Sequence, residues 1–194
     1  MPTMRIAALG ALFVTLAALG ARADAAGSQR AVLDVGDSLS VGAAPFLAQH
    51  LRGYRIEGRR RVGLRSPEAA QLVGGSRVPL PRVLVVSAGT NDDPREVSAF
   101  AESVSAVLAS AGRARCVVWP TIVRPPISGF TYARLNQALA RAAARRPNLV
   151  LVDWVGMVRR HPAWLRGDGV HASSAGYRAR ARAIAKAVTS RCRS

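Results

Sequence analysis

Cysteine, lysine and aromatic residues are scarce in this chain of 194 residues. Cys116 and Cys192 are the two cysteines, Lys186 is the one lysine, and aromatic residues make up 5% of the composition. Two cysteines cannot hold a zinc ion alone, and no His/Cys cluster lies near either of them, so a structural zinc site is not expected. In an exported protein an even cysteine count instead indicates a disulfide.

Acidic residues are also few, because 11 Asp and Glu stand against 28 Lys and Arg, which gives a formal net charge of +17. The arginines are scattered apart from positions 59–61. The chain has no basic stripe with interleaved aromatics, which binding of single-stranded nucleic acid would require. We therefore expect no nucleic-acid partner, whereas electrostatic association with an anionic cell envelope is compatible with this charge.

Long apolar runs are absent beyond the N-terminus. Residues 1–5 are short and positively charged, residues 6–19 are apolar and uncharged, and residues 20–25 offer small residues for cleavage after Ala23 or Ala25. This pattern predicts a secretory signal peptide over residues 1–25 and one extracytoplasmic domain over residues 29–194. An uncleaved membrane anchor is the alternative, although the run is somewhat short for a spanning helix.

Short continuous apolar segments alternate with helical patterns along the rest of the chain. Continuous rather than alternating apolar strands are typical of a sheet that is covered on both faces. The alternation predicts an α/β fold in which a parallel sheet carries its ligand site at the carboxyl ends of the strands. The predicted strands are 31–35, 54–58, 82–87, 115–119 and 149–153, the predicted helices are 39–51, 94–111, 132–146 and 173–191, and residues 119–130 form a proline-rich loop.

The first candidate motif, GDSLS at 36–40, directly follows the first predicted strand. A serine at a strand-to-helix turn projects its hydroxyl at the carboxyl edge of the sheet, where the helix N-terminus favours developing negative charge. Ser38 is therefore a candidate nucleophile. Ser and Asp are also preferred helix N-caps, so the motif alone is a weak signal of function.

The second motif, GTND at 89–92, follows the strand predicted at 82–87. The side-chain amide of Asn91 could donate a hydrogen bond to an oxyanion at this edge. A turn that leads into the helix near Pro94 would also explain these residue types.

The third motif, DGVH at 168–171, lies just before the last predicted helix. At this spacing the Asp168 carboxylate can fold back onto Nδ1 of His171 and leave Nε2 free to act as a base. The other two histidines, His50 and His161, have no carboxylate at comparable spacing, and we expect both to be structural. The three motifs together supply a nucleophile, an oriented base and an oxyanion donor at one edge of the sheet.

In this order, GDSLS, a glycine in a basic stretch, GTND and DGVH resemble the SGNH/GDSL hydrolase superfamily, and the resemblance covers roughly residues 31–188. It implies a flavodoxin-like three-layer α/β/α sandwich of about five parallel strands. It implies no metal and no organic cofactor. The motifs also resemble the SGNH domains of membrane acyltransferases that O-acetylate peptidoglycan or other surface glycans.

The resemblance also implies the roles of the site residues. Ser38 is the nucleophile, and Asp168 and His171 complete its catalytic triad. The oxyanion hole consists of the N–H groups of Ser38 and Gly63 and the side chain of Asn91. The assignment of Gly63 has a competitor in Gly58, which lies in the same basic stretch.

These features together predict a secreted serine esterase that hydrolyses carboxylic esters through an acyl-enzyme on Ser38. The same residues would serve an acyltransferase or O-acetyl esterase that acts on cell-envelope glycans. A non-catalytic envelope-binding module is a third possibility, against which the intact motifs argue. The expected substrate is a small-molecule, lipid or glycan ester, and we expect a monomer.

The disulfide prediction follows from the sheet geometry. Cys116 begins the fourth strand and so belongs at the amino edge of the sheet, whereas His171 must lie at the carboxyl edge to meet Ser38. The helix after His171 runs about 30 Å back across the sheet, at 1.5 Å per residue. It therefore carries Cys192 to the same edge as Cys116, and we expect the two to be bonded.

Overall fold

The computed structural model describes residues 30–192. Its strands are β1 (Arg30–Gly36), β2 (Tyr54–Arg60), β3 (Val83–Ser87), β4 (Cys116–Pro120) and β5 (Leu149–Val152). All neighbouring pairs are parallel, in the order β2-β1-β3-β4-β5, which is the order of flavodoxin-like folds. The predicted fold class is thus confirmed, while the signal peptide predicted over residues 1–25 and the domain start at residue 29 lie outside the described residues.

Helices connect the strands. Residues 30–192 contain α1 (Ser38–His50), α2 (Ser66–Gly74), α3 (Val97–Ala111), α4 (Ala133–Arg145), α5 (Trp154–Arg160) and α6 (Ser174–Arg191), with a 3-10 helix at Pro162–Trp164. The sequence predicted α1, α3, α4 and α6 with bounds that differ from these by at most three residues, but it predicted neither α2 nor α5.

The start of α3 is the largest of these differences, since the prediction began the helix near Pro94. The carboxylate of Asp93 accepts a hydrogen bond from the N–H of Arg95 at 2.9 Å, and the N–H of Glu96 donates to the Asp93 carbonyl at 3.0 Å. An Asp side chain that bonds to the backbone two residues on closes a local turn. This turn delays the helix to Val97.

The strands bury both of their faces. Alternate side chains of β1 and β3 point to opposite sides, so that Leu33 and Leu84 pack with α2, α3 and α4, while Val32 and Val85 pack with α1, α5 and α6. Each of these four side chains is at most 1% exposed. Full burial of one such side chain stabilises the fold by about 1.5–3 kcal/mol. The result is an α/β/α sandwich built from the continuous apolar strands of the sequence.

The order in which strands are added to the sheet reverses at β1. The chain leaves β1 toward β2 on one side and returns to β3 on the other, and ligands of such sheets bind in the crevice that this switch opens at the carboxyl ends. The N–H of Asp37 donates to the carbonyl of Ser87 at 3.0 Å and ties the two strands together there. A Cβ at Gly36 would lie 2.5 Å from Cβ of Ser40 and 3.0 Å from Cβ of Ser87, so only glycine fits this close approach.

A disulfide closes the opposite edge of the sheet. Cys116 is the first residue of β4 and pairs in register with Val83, the first residue of β3. Cys192 directly follows α6, and its Cα lies 5.4 Å from that of Cys116 across the disulfide. The predicted pairing is thus confirmed, and the bond fastens α6 to the sheet at the edge away from Ser38.

Candidate active site

Ser38 is the first residue of α1 and stands directly beyond the carboxyl end of β1. Asp37 precedes it as the N-cap, and the Asp37 carboxylate accepts a hydrogen bond from the N–H of Leu39 at 2.9 Å. This cap fixes the turn between strand and helix. Ser38 is half-buried, while Asp37 beside it is fully buried, so the serine is the residue of this turn that reaches the surface.

The imidazole of His171 contacts the serine. Nε2 of His171 lies 3.0 Å from Oγ of Ser38, and Nδ1 lies 2.7 Å from Oδ2 of Asp168. With the ring proton on Nδ1, Nδ1 donates to the carboxylate and Nε2 is free to accept the serine proton. The structure therefore brings together Ser38, Asp168 and His171, the three candidate residues of the GDSLS and DGVH motifs.

The carboxylate of Asp168 is held by its own loop. Its Oδ1 accepts hydrogen bonds from the N–H groups of Val170 and His171, both at 2.9 Å. The hydrogen bond with the His171 side chain and then these two N–H groups lower the pKa of Asp168 to about 2. Gly169 adopts a φ of +68° in this loop, a conformation that glycine enters without strain.

Backbone contacts attach the histidine loop to the rest of the fold. The N–H of Arg166 donates to the carbonyl of His171 at 2.8 Å, and the N–H of Ser173 donates to the carbonyl of Trp164 at 2.8 Å. Ser173 is also the N-cap of α6. Backbone hydrogen bonds thus hold the loop on both sides of His171. The side chains of His171 and Asp168 nevertheless remain 39% and 48% exposed.

Asn91 lies in the turn after β3 and contacts the loop after β2. Its Nδ2 donates to the carbonyl of Leu64 at 3.1 Å. The next residue, Asp92, accepts from the N–H of Ser66 at 2.9 Å and from the Ser66 hydroxyl. Two adjacent side chains of one turn therefore hold the segment that contains Gly63.

Gly63 and Gly58 occupy different positions relative to this edge. Gly58 pairs with Asp34 in the middle of β1, whereas Gly63 follows the end of β2, is exposed and has a φ of +77°. The strands rise about 3.3 Å per residue, so Gly58 stands about two residues short of the Gly36 level at which the sheet ends. This placement favours Gly63 over Gly58 as a neighbour of Ser38.

A buried arginine that the sequence analysis missed lies beneath the site. Arg180 of α6 is 2% exposed, its Nη2 donates to Oγ of Ser87 at 2.7 Å, and its guanidinium lies 5.3 Å from the centre of the Trp154 ring. Burial lowers the pKa of Arg180 to about 10, against the opposing effect of Asp37. Burial likewise raises the pKa of Asp37, and Arg180 opposes that rise. The spacing in the sequence could have revealed this burial, because Arg180 lies four residues before Ile184 and eight before Val188. These positions share one face of the helix.

A second buried carboxylate supports the helix that carries Ser38. Asp34 of β1 accepts from Oγ of Ser40 at 2.8 Å and from Nε of Arg60 at 2.6 Å. Burial raises the pKa of Asp34, and Arg60 counteracts the rise most strongly. Through these two hydrogen bonds, Asp34 links β1 to β2 and to the first turn of α1.

The two remaining histidines lie elsewhere. His50 is the last residue of α1, and the ring of His161 stacks on Trp164 at 4.2 Å between centroids. Within residues 30–192, no group of His, Cys, Asp and Glu has an arrangement that could hold a metal ion. In the same part of the chain, no helix is both long and apolar enough to cross a membrane.

Comparisons with known proteins give a family match and several structural neighbours. The family model of the GDSL-like lipase/acylhydrolase family matches residues 17–179. No curated protein sequence matches significantly.

Several solved structures share the fold. A lipase/acylhydrolase from Enterococcus faecalis superposes with a TM-score of 0.69 at 20% identity, over 84% of this chain and 96% of that one. A GDSL-like lipase from Bacteroides thetaiotaomicron gives 0.65 at 18%, over 83% and 88%. The C-terminal catalytic domain of peptidoglycan O-acetyltransferase A from Streptococcus pneumoniae gives 0.64 at 21%, over 83% and 91%.

Proposed function

The chain belongs to the GDSL-like lipase/acylhydrolase family, and on that premise we propose that it cleaves carboxylic esters through an acyl-enzyme on Ser38. Membership makes it a serine hydrolase of the SGNH type. The observation that carries the residue assignment is the continuous contact from Asp168 through His171 to Ser38, at 2.7 and 3.0 Å. A serine hydroxyl becomes a competent nucleophile when an oriented base can take its proton.

The reaction proceeds in two halves. Oγ of Ser38 attacks the acyl carbonyl while Nε2 of His171 takes its proton, and the ionised Asp168 stabilises the resulting imidazolium. His171 then returns that proton to the leaving alkoxide, which departs as the alcohol. A water molecule, deprotonated by the same imidazole, attacks the acyl-enzyme and releases the acid, and the proton returns to Ser38.

Negative charge develops on the carbonyl oxygen in both halves. We assign its stabilisation to the N–H groups of Ser38 and Gly63 and to the side-chain amide of Asn91. Three features support this assignment: the N-terminal position of Ser38 in α1, the exposure of Gly63, and the hydrogen bond that joins Asn91 to Leu64 next to Gly63. The N-terminus of α1 adds a favourable dipole.

Ester hydrolysis by purified protein tests this assignment. With p-nitrophenyl acetate, Ser38→Ala is expected to lower kcat by at least about 10³-fold, the order of loss that nucleophile removal causes in serine hydrolases. Ser105→Ala is the matched control, because Ser105 is exposed on α3 and its hydroxyl bonds only within that helix. If Ser38→Ala kept its activity, the nucleophile would have to be another residue.

Acyl transfer is a second candidate function for the same residues. The S. pneumoniae neighbour is a peptidoglycan O-acetyltransferase, and its catalytic domain shares this fold. The partly exposed side chains of His171 and Asp168 indicate an open site, which a sugar hydroxyl could enter in place of water. With a p-nitrophenyl acetate donor and a chitin oligomer acceptor, an acetylated sugar would indicate transfer, and free acetate alone would indicate hydrolysis.

The open site also bears on the substrate. We propose an ester with a short acyl group, whether the alcohol is a small molecule, a lipid or a glycan. Rates across p-nitrophenyl esters of rising chain length test this, and a rise toward long chains would contradict it. A non-catalytic envelope-binding module is the least supported alternative, because the side chain of His171 lies within hydrogen-bond distance of both Ser38 and Asp168.

We further propose that the protein is exported by the segment at 1–25 and works outside the cytoplasm as a monomer. The Cys116–Cys192 disulfide supports an oxidising compartment. The net charge of +17 would favour contact with anionic envelope polymers. N-terminal sequencing of the exported protein tests the cleavage, and an unprocessed Met1 in a membrane fraction would indicate an anchor instead.

A further inference from the structure

The loop between β4 and α4 places an arginine against the candidate oxyanion donor. Nη1 of Arg124 lies 2.6 Å from the carbonyl of Thr90 and 3.4 Å from Oδ1 of Asn91. We propose that Arg124 is a positioning residue, which orients the amide of Asn91 so that its N–H faces the oxyanion. This inference rests on the proposed function, because it presupposes that Asn91 donates to the oxyanion.

The side-chain amide of Asn91 has a donor end and an acceptor end. The carboxamide of Asn91 can turn by 180°, which exchanges a donor for an acceptor. In the observed orientation, Nδ2 donates to the Leu64 carbonyl and Oδ1 accepts from Arg124. The reversed orientation would set the NH2 group against a guanidinium and the amide oxygen against a carbonyl. Both contacts would then be repulsive, so the two neighbours select one orientation together.

The selected orientation is the one that catalysis needs. One hydrogen of Nδ2 is used by Leu64, and the other remains for a ligand. A reversed amide would instead present oxygen lone pairs to a developing negative charge. A charged donor on Oδ1 also polarises the amide, which strengthens the hydrogen bond that its N–H makes.

Arg124 is itself fixed by the residues around it in the chain. The N–H and carbonyl of Ile122 bond to the side chain of Asn136 on α4, at 2.8 and 2.9 Å. Pro125 packs so closely on Gly169 that a Cβ added to Gly169 would lie 2.8 Å from Cγ of Pro125. The loop is thus anchored on both sides of Arg124, between the turn of Asn91 and the loop of His171.

Arg124 takes no part in the salt bridges of residues 30–192, which all join other residues. Its guanidinium therefore contributes a positive potential beside Asn91. An arginine suits this position better than a lysine, because its planar fork can serve the Thr90 carbonyl and the amide together.

A double-mutant cycle on the intact protein tests the inference. The variants are Arg124→Met, Asn91→Ala and the double variant, assayed for kcat and KM with p-nitrophenyl acetate. Asn91→Ala should lose on the order of 10²–10³ in kcat, as for removal of one oxyanion donor. Arg124→Met should lose about tenfold in kcat with little change in KM, which corresponds to a coupling in the usual range for residues in contact.

The decisive comparison is the effect of Arg124→Met in the Asn91→Ala background. If Arg124 acts through the amide of Asn91, adding Arg124→Met to the Asn91→Ala variant should change kcat by less than about twofold. The reason is that the effects of coupled residues are not additive. A loss of the same size in both backgrounds, or a rise in KM at constant kcat, would overturn the inference. Arg124→Lys should recover part of the kcat lost in Arg124→Met, and no recovery would also count against a positioning role.

Arg146→Met is the matched control for the loss of an arginine that bonds to backbone. Nη2 of Arg146 donates to the carbonyls of Leu108 and Gly112 at 2.8 and 3.2 Å, at the amino edge of the sheet. This variant should lower the melting temperature and leave kcat unchanged. If Asn91→Ala kept full activity while Ser38→Ala lost it, the amide would have no role to orient. The inference would then be wrong while the nucleophile assignment stood.

Discussion

Nε2 of His171 lies 3.0 Å from Oγ of Ser38, although the two residues are 133 positions apart in the chain. The sheet creates this contact, because Ser38 follows the carboxyl end of β1 and α6 begins at the same edge.

The carboxyl of Asp168 has a pKa lowered from 3.8 to about 2, chiefly by its hydrogen bond with His171. Because the pKa is lower in the folded state, the stabilising effect of the carboxylate is present above the ordinary value and is lost as the pH falls toward about 2. An NMR titration should therefore find a midpoint near 2 for Asp168. In His171→Ala the midpoint should rise toward 3.8, and an unchanged midpoint would show that His171 does not hold this carboxylate.

Gly36 is expected to tolerate no side chain. In Gly36→Ala the new Cβ would meet Cβ of Ser40 at 2.5 Å and Cβ of Ser87 at 3.0 Å, and neither is the end of a flexible chain. Such overpacking costs about 1–3 kcal/mol and would shift the turn that carries Ser38. Urea unfolding should show the lower stability, and kcat should fall. The control is Gly167→Ala, whose Cβ would meet no atom within 4 Å, and equal losses in both variants would contradict this explanation.

The disulfide should stabilise the protein without affecting its chemistry. It closes 76 residues between Cys116 and Cys192, and a loop of that size stabilises by about 4 kcal/mol in the chain-entropy model. Cys116→Ser with Cys192→Ser should lower the melting temperature and leave kcat nearly unchanged at temperatures where the variant is folded. A large fall in kcat of the folded variant would mean that the bond, although distant from Ser38, controls the site.

Much of this architecture was predictable from the sequence, because local pattern and global fold agree. The apolar strands are continuous since both faces are buried, and the polar motifs follow them since the carboxyl edge is where side chains can meet. Helix α2 was missed because its buried residues, Ser66, Ala69 and Val73, are too small and few to give a strong apolar period. Helix α5 spans only seven residues.

The missed residues of the site have a different cause. Arg180 is buried because Ser87, Trp154 and Asp37 surround it, and these belong to other elements. Arg124 contacts Asn91 only because the loop after β4 folds over the turn after β3. A single sequence gives the residue type, but the partners that change its role are supplied by the tertiary fold.

Covalent labelling tests the central assignment most directly. A fluorophosphonate forms a stable adduct only with a serine whose hydroxyl is activated by a neighbouring base, as the contact of Ser38 with His171 requires. Intact-mass measurement should show one adduct per wild-type chain, peptide mapping should place it on Ser38, and Ser38→Ala should remain unlabelled. An adduct on a different serine, or an unlabelled wild-type protein that still hydrolyses p-nitrophenyl acetate, would contradict the assignment.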